Sequence, residues 1–371
     1  MDDDLQATAL TAHHEAAGAR LAPFAGWSMP LRFTSTLTEH AAVRTDVGAF
    51  DVSHLGTVWI EGPQAAEVVG ATFTNDPTRL EDGTSQYTLC CDEQGGIVDD
   101  LIVYRLSAQR FVAVPNAANT AAVTAALTAA AADRGVRVVD TSTEWAVLAV
   151  QGPRALAVTD QVLAGMGAAG NPAATTQAFG IRRVELTGGA LLLCRTGYTG
   201  ERGVELLLPD SLALGVWEAL SSAGVTSCGL AARDTLRLEM GYPLHGNELS
   251  ASRDPYQARL GWAVRLDRDG FRGRQALIAA EAAGPRQRLW GLVAAGRRPA
   301  RAELEVVRVG TDEVIGTTTS GSLSPTLGLP IALAYLDAAF GPGDRVELNL
   351  RGHRTDAEVV RPPFVDRDPK A

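Results

Sequence analysis

The sequence predicts an α+β chain: two similar β-α-β-β-β-α modules, followed by a small antiparallel barrel or sandwich. Three observations carry this. A strand–Gly-Pro–helix pattern occurs twice, about ninety residues apart. The glycine-turn hairpins and Pro-Asx helix entries that follow recur in the same order. Beyond about Trp290 the texture changes to short strands separated by Gly/Pro turns.

In the first module, Val58–Glu61 leads through Gly62-Pro63 into a helix-forming stretch; in the second, Leu148–Gln151 does so through Gly152-Pro153. Proline suits a first helical turn, where its missing N–H costs nothing. Gly95-Gly96 then separates the strands 87–91 and 97–106, and Gly188-Gly189 separates 181–186 and 190–194; both read as hairpins. Strand 111–114 meets Pro115-Asn116 and a helix to about Ala132, and strand 204–208 meets Pro209-Asp210 and a helix to about Leu220. Asn116 and Asp210 are placed to cap those helices. A helix over 229–240 follows, with Arg233 and Arg237 one turn apart on one face. Strands are then expected near 289–293, 306–309, 314–318, 331–335, 345–350 and 357–360.

Composition excludes several chemistries. The chain has 371 residues and a net charge of −10, so it lacks the basic footprint of a nucleic-acid binder. Its 33 basic residues include one lysine, Lys370. A lysine next to the C-terminal residue serves neither a Schiff base nor a phosphate-binding loop. Cys90, Cys91, Cys194 and Cys228 form no C-x-x-C pair and read as reduced thiols. The acidic start Met1-Asp2-Asp3-Asp4 is unlike a signal peptide, and no apolar run approaches membrane-spanning length. A cytoplasmic protein is expected.

Single motifs are less decisive. Gly165–Gly170 matches G-x-G-x-x-G but follows a helix, so it reads as a loop. His54, beside Asp51 and Ser53, reads as part of a structural turn. His13, His14 and His353 sit in polar contexts and are expected in solvent; His40 and His245 lack metal-ligand spacing. Alternation puts Asp99 and Asp100 on opposite faces of one strand with apolar residues on both sides. At least one carboxylate therefore faces an interior or a cavity, unless both cap a hairpin start. Arg195–Glu205 is a glycine-spaced loop entering an apolar strand, and reads as a pocket rim or as an elaborate hairpin loop.

Together these segments resemble the T-protein (aminomethyltransferase) family of the glycine cleavage system. The resemblance rests on Phe24–Pro30, Arg44–His54, Thr74–Asp76, Gly95–Tyr104, Val147–Pro153, Thr196–Glu201, Gly229–Glu239, Thr319–Gly321 with Ser324–Thr326, and Pro362–Val365. It runs from about residue 8 to about 366. It implies a monomer of three domains arranged like a clover leaf around a folate cavity, the last domain a β-barrel. The expected division is 1–53 with 141–280, then 54–140, then 281–371. The implied reaction moves an aminomethyl carbon from the lipoyl arm of H-protein to tetrahydrofolate. Its products are 5,10-methylenetetrahydrofolate, ammonia and dihydrolipoyl H-protein. No metal or nucleotide is implied.

The resemblance puts the essential aspartate on Asp99, near N5 and N10 of the folate. It puts a pterin-binding acid on Glu205 and a ligand-contacting arginine on Arg233. Tyr87, Tyr198 and Trp262 become aromatic walls, and Asn116 fixes a polar edge. Leu55 stands where many relatives have methionine. A folate-dependent demethylase acting on a free small molecule is a competing reading; the paired acids and near-complete motif run favour the T-protein. A non-catalytic folate-binding protein is another, but its Lys-Gly-Cys-Tyr-x-Gly-Gln-Glu loop is absent, since Arg195–Glu201 lacks cysteine and glutamine.

Overall fold

The computed structural model describes residues 5–350 and 352–368. Lys370 lies outside the described residues. Two antiparallel-rich sheets and a closed barrel organise the chain. The five-stranded sheet runs in the order Thr84–Cys91, Ile97–Ser107, Arg110–Val114, Val58–Glu61, Arg137–Asp140. The six-stranded sheet runs Ile181–Leu186, Gly189–Cys194, Gly203–Pro209, Trp145–Gln151, Gly48–Asp51, Thr226–Cys228. The first four strands of each sheet are the repeated landmarks, and they lie in the same spatial order. Both Gly-Pro sites lead into helices, Ala65–Thr72 and Ala155–Gly165. The duplicated module is thus a structural repeat as well as a sequence pattern.

Gly48–Asp51, Thr226–Cys228 and an N-terminal sheet of Gln6–Ala7, Trp27–Arg32 and Arg20–Phe24 carry no repeat signal, and sequence reading did not assign them. Neither helix cap forms as expected. Pro209 takes the cap position before Asp210–Ser222, and the Asn116 side chain caps nothing. Its amide is drawn instead to the carboxylates of the neighbouring strand, as described below.

The faces of the sheets divide the interior. One face of the five-stranded sheet packs Ile60, Leu101, Val103 and Phe111 against Val68, Val69, Val123 and Leu127 of its helices. One face of the six-stranded sheet packs Leu148, Leu193 and Leu206 against Val158, Val216 and Trp217. The opposite faces meet each other: Trp59, Tyr104 and Val112 of one sheet join Phe50, Val147, Leu192 and Leu207 of the other in a shared core. Burial on this scale, at roughly 25 cal/mol per Å² of apolar surface, fixes the two sheets face to face. His14 is a correction to the sequence reading. It is fully buried, with Nε2 at 3.1 Å from Asp51 and its ring edge-on to Trp217.

The barrel closes in the order Gln287–Ala294, Pro330–Asp337, Val314–Leu323, Glu305–Arg308, Arg345–Leu350, His353–Val360. Closure leaves no unpaired edge. The helix Leu230–Met240 joins it to the rest. It begins at Gly229, where a Cβ would come within 2.3 Å of the Leu31 backbone, and ends at Gly241, whose φ of +67° forms the left-handed cap. Leu238 packs on Leu289, Ile331, Leu333 and Tyr335 of the barrel. Arg237 donates to Glu248 at 2.9 Å and to Ser320 Oγ at 2.7 Å. Glu239 accepts from Arg44, Ser324 and Thr326. Burial acts to raise the Glu239 pKa, but His40 beside it and these donors hold it down at about 2. Buried ion pairs of this kind break at high cost when one partner is removed.

All four cysteines are buried free thiols. Among the described residues no helix is long and apolar enough to cross a membrane.

Candidate active site

A cavity of about 1010 Å³ opens where the two sheets, the helix Leu230–Met240 and the barrel meet. Seven of the eight sequence-expected residues line it: Leu55, Tyr87, Asn116, Tyr198, Glu205, Arg233 and Trp262. They come from six separate segments, so only the fold brings them together.

The eighth, Asp99, does not face the cavity, and the expectation is corrected. Asp99 is fully buried on the strand face shared with Leu101 and Val103, which packs under the helices. Asp100 lies on the other face, with Ile102 and Tyr104, and lines the cavity. Alternation separates the two acids, but both faces carry apolar residues and the pattern alone does not say which is the cavity.

The two acids have different surroundings. Asp99 accepts three N–H bonds: from the Asn116 backbone at 3.0 Å, Asn116 Nδ2 at 2.8 Å and Asn119 Nδ2 at 2.7 Å. It anchors the 116–119 turn to the strand. Asp100 accepts from the Tyr87 hydroxyl at 3.0 Å and from Asn116 Nδ2 at 3.0 Å, and keeps a face toward the cavity. Burial raises the Asp99 pKa, and the nearby Asp100 charge adds to it. Burial also pushes Asp100 up, to about 6, with the bonds from Tyr87 and Asn116 pulling the other way. Asp100 is thus a carboxylate poised near neutral pH at a cavity wall.

A second polar wall lies on the other sheet. Tyr104 donates to Thr196 at 2.7 Å, and Thr196 donates to Glu205 Oε2 at 2.5 Å. This relay orients Glu205 and leaves its remaining lone pairs for a ligand with adjacent N–H donors. Arg233 lies over the Tyr198 ring at 4.9 Å, and its Nη1 is buried without a hydrogen-bond partner. Burial lowers its pKa, and the Glu205 charge opposes that. A buried guanidinium nitrogen left unpaired is costly, so it marks a place for an acceptor.

Aromatic surfaces complete the site. Tyr87 stacks on Trp262 with centroids 5.3 Å apart, and Trp262 is 62% exposed. Tyr198 stacks on Tyr242 at 5.7 Å and donates to the Pro243 carbonyl. Gly197 and Gly203 approach the buried Gln151 so closely that a Cβ on either would overlap its amide, at 2.0 Å and 2.3 Å. Packing against Gln151 therefore requires glycine at 197 and 203, while Gly200, with a φ of +80°, lies against Met240.

Sequence reading missed Asp100 as the cavity acid, and Tyr104, Thr196 and His54 as wall residues. Tyr104 was accessible to it: it stands four residues after Asp100 on the same strand face. His54 is buried in the expected turn, yet it also lines the cavity. Among the described residues no group of three or more His, Cys, Asp and Glu side chains is placed to hold a metal.

Comparison with known proteins shows the family. Residues 10–268 match the GCVT N-terminal domain, and residues 287–366 match the glycine cleavage T-protein C-terminal barrel domain. An aminomethyltransferase from Parafrankia sp. is 48% identical over 99% of this chain and 100% of its own length. One from Mycobacterium bovis is 48% identical over 95% of each chain. The crystal structure of glycine cleavage system aminomethyltransferase T from Bartonella henselae superposes with a TM-score of 0.90. It is 36% identical and covers 98% of this chain and 99% of its own.

Proposed function

This chain belongs to the glycine cleavage T-protein family and is an aminomethyltransferase of the glycine cleavage system; from that premise we propose how its cavity residues divide the work. Tetrahydrofolate is the co-substrate, with its pterin between the two polar walls. Glu205, oriented by Thr196 and Tyr104, takes the adjacent N–H donors of the pterin edge. Arg233 supplies its unpaired donor to a pterin oxygen. Tyr87, Tyr198 and Trp262 form the apolar walls for the flat rings, and Leu55 fills the position beside them.

Asp100 takes the role that sequence reading gave to Asp99. The carboxylate faces N5, orients it toward the incoming methylene carbon and stabilises the cationic character that develops there. With a pKa of about 6 it is ionised at neutral pH yet able to accept a proton. Asn116 and Tyr87 hold it in place. The carbon arrives as the aminomethyl adduct of the lipoyl arm of H-protein. A new N5–carbon bond replaces the carbon–sulfur bond, ammonia leaves, and closure onto N10 gives 5,10-methylenetetrahydrofolate and dihydrolipoyl H-protein.

H-protein docks transiently on a monomer, since a carrier that shuttles between enzymes is suited by a small interface. The division into 1–53 with 141–280, 54–140 and 281–371 is supported by the membership of the two sheets and the barrel.

The observation that carries the proposal is the convergence of Asp100, Glu205 and Arg233 on one cavity wall system. Single turnover with aminomethylated H-protein and tetrahydrofolate tests it. One equivalent each of methylenetetrahydrofolate and ammonia is expected. One-carbon transfer from a free small amine, with none from H-protein, would refute it.

A further inference from the structure

His54, like Arg233, is a cavity-wall side chain with a buried nitrogen left unpaired. Asp51 Oδ1 accepts from the Ser53 backbone N–H at 3.0 Å and from Ser53 Oγ at 2.6 Å, which fixes the turn that delivers it. The ring stands edge-on to Phe24 at 5.1 Å and is 5% exposed. Its Nδ1 is sealed from solvent with no hydrogen-bond partner. A buried N–H without an acceptor is rarer and worse than an idle lone pair, so the ring's proton belongs on Nε2. Nε2 is then the polar atom the ring can offer to the cavity. Two charged groups act on the ring: Arg233, and Asp51 at the base of its turn. Burial and the Arg233 charge lower its pKa to about 3, so it stays uncharged.

Resting on the folate reading above, we propose that His54 is a ligand-binding residue: its Nε2–H is a fixed, neutral donor that, beside Arg233, hydrogen-bonds the C4 carbonyl oxygen of the pterin. The placement follows from ligand chemistry. If Glu205 takes the pterin's N2 and N3 donors, O4 is the next atom along that edge. Arg233 and His54 line the same cavity as Glu205. A neutral donor there selects a 4-oxo pterin over a 4-amino one, because an amino group cannot accept the bond. Arg233 alone selects less sharply, since its charge and flexible stem serve many acceptors.

Calorimetry on the full chain tests this with two ligands: tetrahydrofolate and its 2,4-diamino analogue. His54→Leu keeps the volume and removes the donor. It should weaken tetrahydrofolate binding about tenfold, the scale of one buried hydrogen bond, and leave the 4-amino analogue unchanged. His54→Gln places an amide N–H near the former Nε2 and should restore most of the affinity. Thermal melting identifies variants that fail to fold. His54→Leu binding tetrahydrofolate as tightly as wild type overturns the inference. So does an equal loss for both ligands, or failure of His54→Gln to rescue. Wild type binding neither ligand overturns the folate reading and this inference with it.

Discussion

Replacing the two adjacent aspartates one at a time separates chemistry from architecture. In Asp100→Asn the side chain keeps its shape. Its amide oxygen accepts from Asn116 Nδ2, and the Tyr87 hydroxyl turns to accept from the new NH₂, so both contacts near 3.0 Å survive. Only the negative charge and the proton-accepting ability are lost. A group that moves a proton or stabilises charge in the transition state contributes about 10²- to 10⁴-fold. That corresponds to roughly 2.7–5.4 kcal/mol of barrier. In Asp99→Asn the situation reverses. All three neighbours are N–H donors, one of them a backbone N–H that cannot turn, so the new NH₂ must face a donor. This should cost about 1–3 kcal/mol of stability and change turnover far less. Single-turnover rates and chemical denaturation on both variants give the readout. Retained turnover in Asp100→Asn, with loss in a folded Asp99→Asn, would refute the assignment.

Further outcomes follow from the same geometry. Turnover should rise with pH through about 6 and then level off, as Asp100 ionises; a rate independent of pH from 5 to 8 would contradict this. Stability should respond in the opposite sense. The folded pKa of Asp100 lies above its ordinary 3.8, so its contribution is full below 3.8 and lost as pH rises through about 6, and Asp100→Asn should flatten that decline in denaturation curves. Glu239 behaves conversely, with stability present above 4.5 and lost as pH falls through about 2; Glu239→Gln leaves Arg44 its Glu201 partner at 3.0 Å but sets an amide NH₂ among the donors Arg44, Ser324 and Thr326, and should cost about 1–3 kcal/mol by denaturation. Glu205→Gln should weaken tetrahydrofolate binding about 10- to 100-fold in calorimetry, the loss of one charged hydrogen-bond acceptor. Turnover with lipoylated H-protein should fall with added salt if charge steers docking, and salt-independent rates would remove that element.

The fold was largely legible because duplication repeats its own punctuation. Gly62-Pro63 and Gly152-Pro153, the Gly-Gly hairpins and the paired helix entries are local signals, and each marks a local event. Gly48–Asp51 and Thr226–Cys228 were not legible, because a short strand completed by distant partners carries no turn of its own. His14 misled for a related reason: its polar neighbours in sequence are not its neighbours in space, where Asp51, Phe33 and Trp217 enclose it. At the site, residue types were readable and orientation was not. Asp99 and Asp100 share a strand whose two faces look equally apolar, and only the helices packed over Leu101 and Val103 decide which acid is buried. Asn116 shows the same limit. Its position before a helix suggested a cap, but the carboxylates of the adjacent strand compete for its amide and win.

Asp100, Glu205 and Arg233 are proposed to hold one tetrahydrofolate together. A crystal structure of the full chain with that ligand tests it most directly. The pterin edge is expected on Glu205, a pterin oxygen within hydrogen-bond reach of Arg233, and N5 on the Asp100 side, with Asp99 still bound to Asn116 and Asn119. A ligand seated outside this cavity, or a pterin whose N5 points away from Asp100, would contradict it.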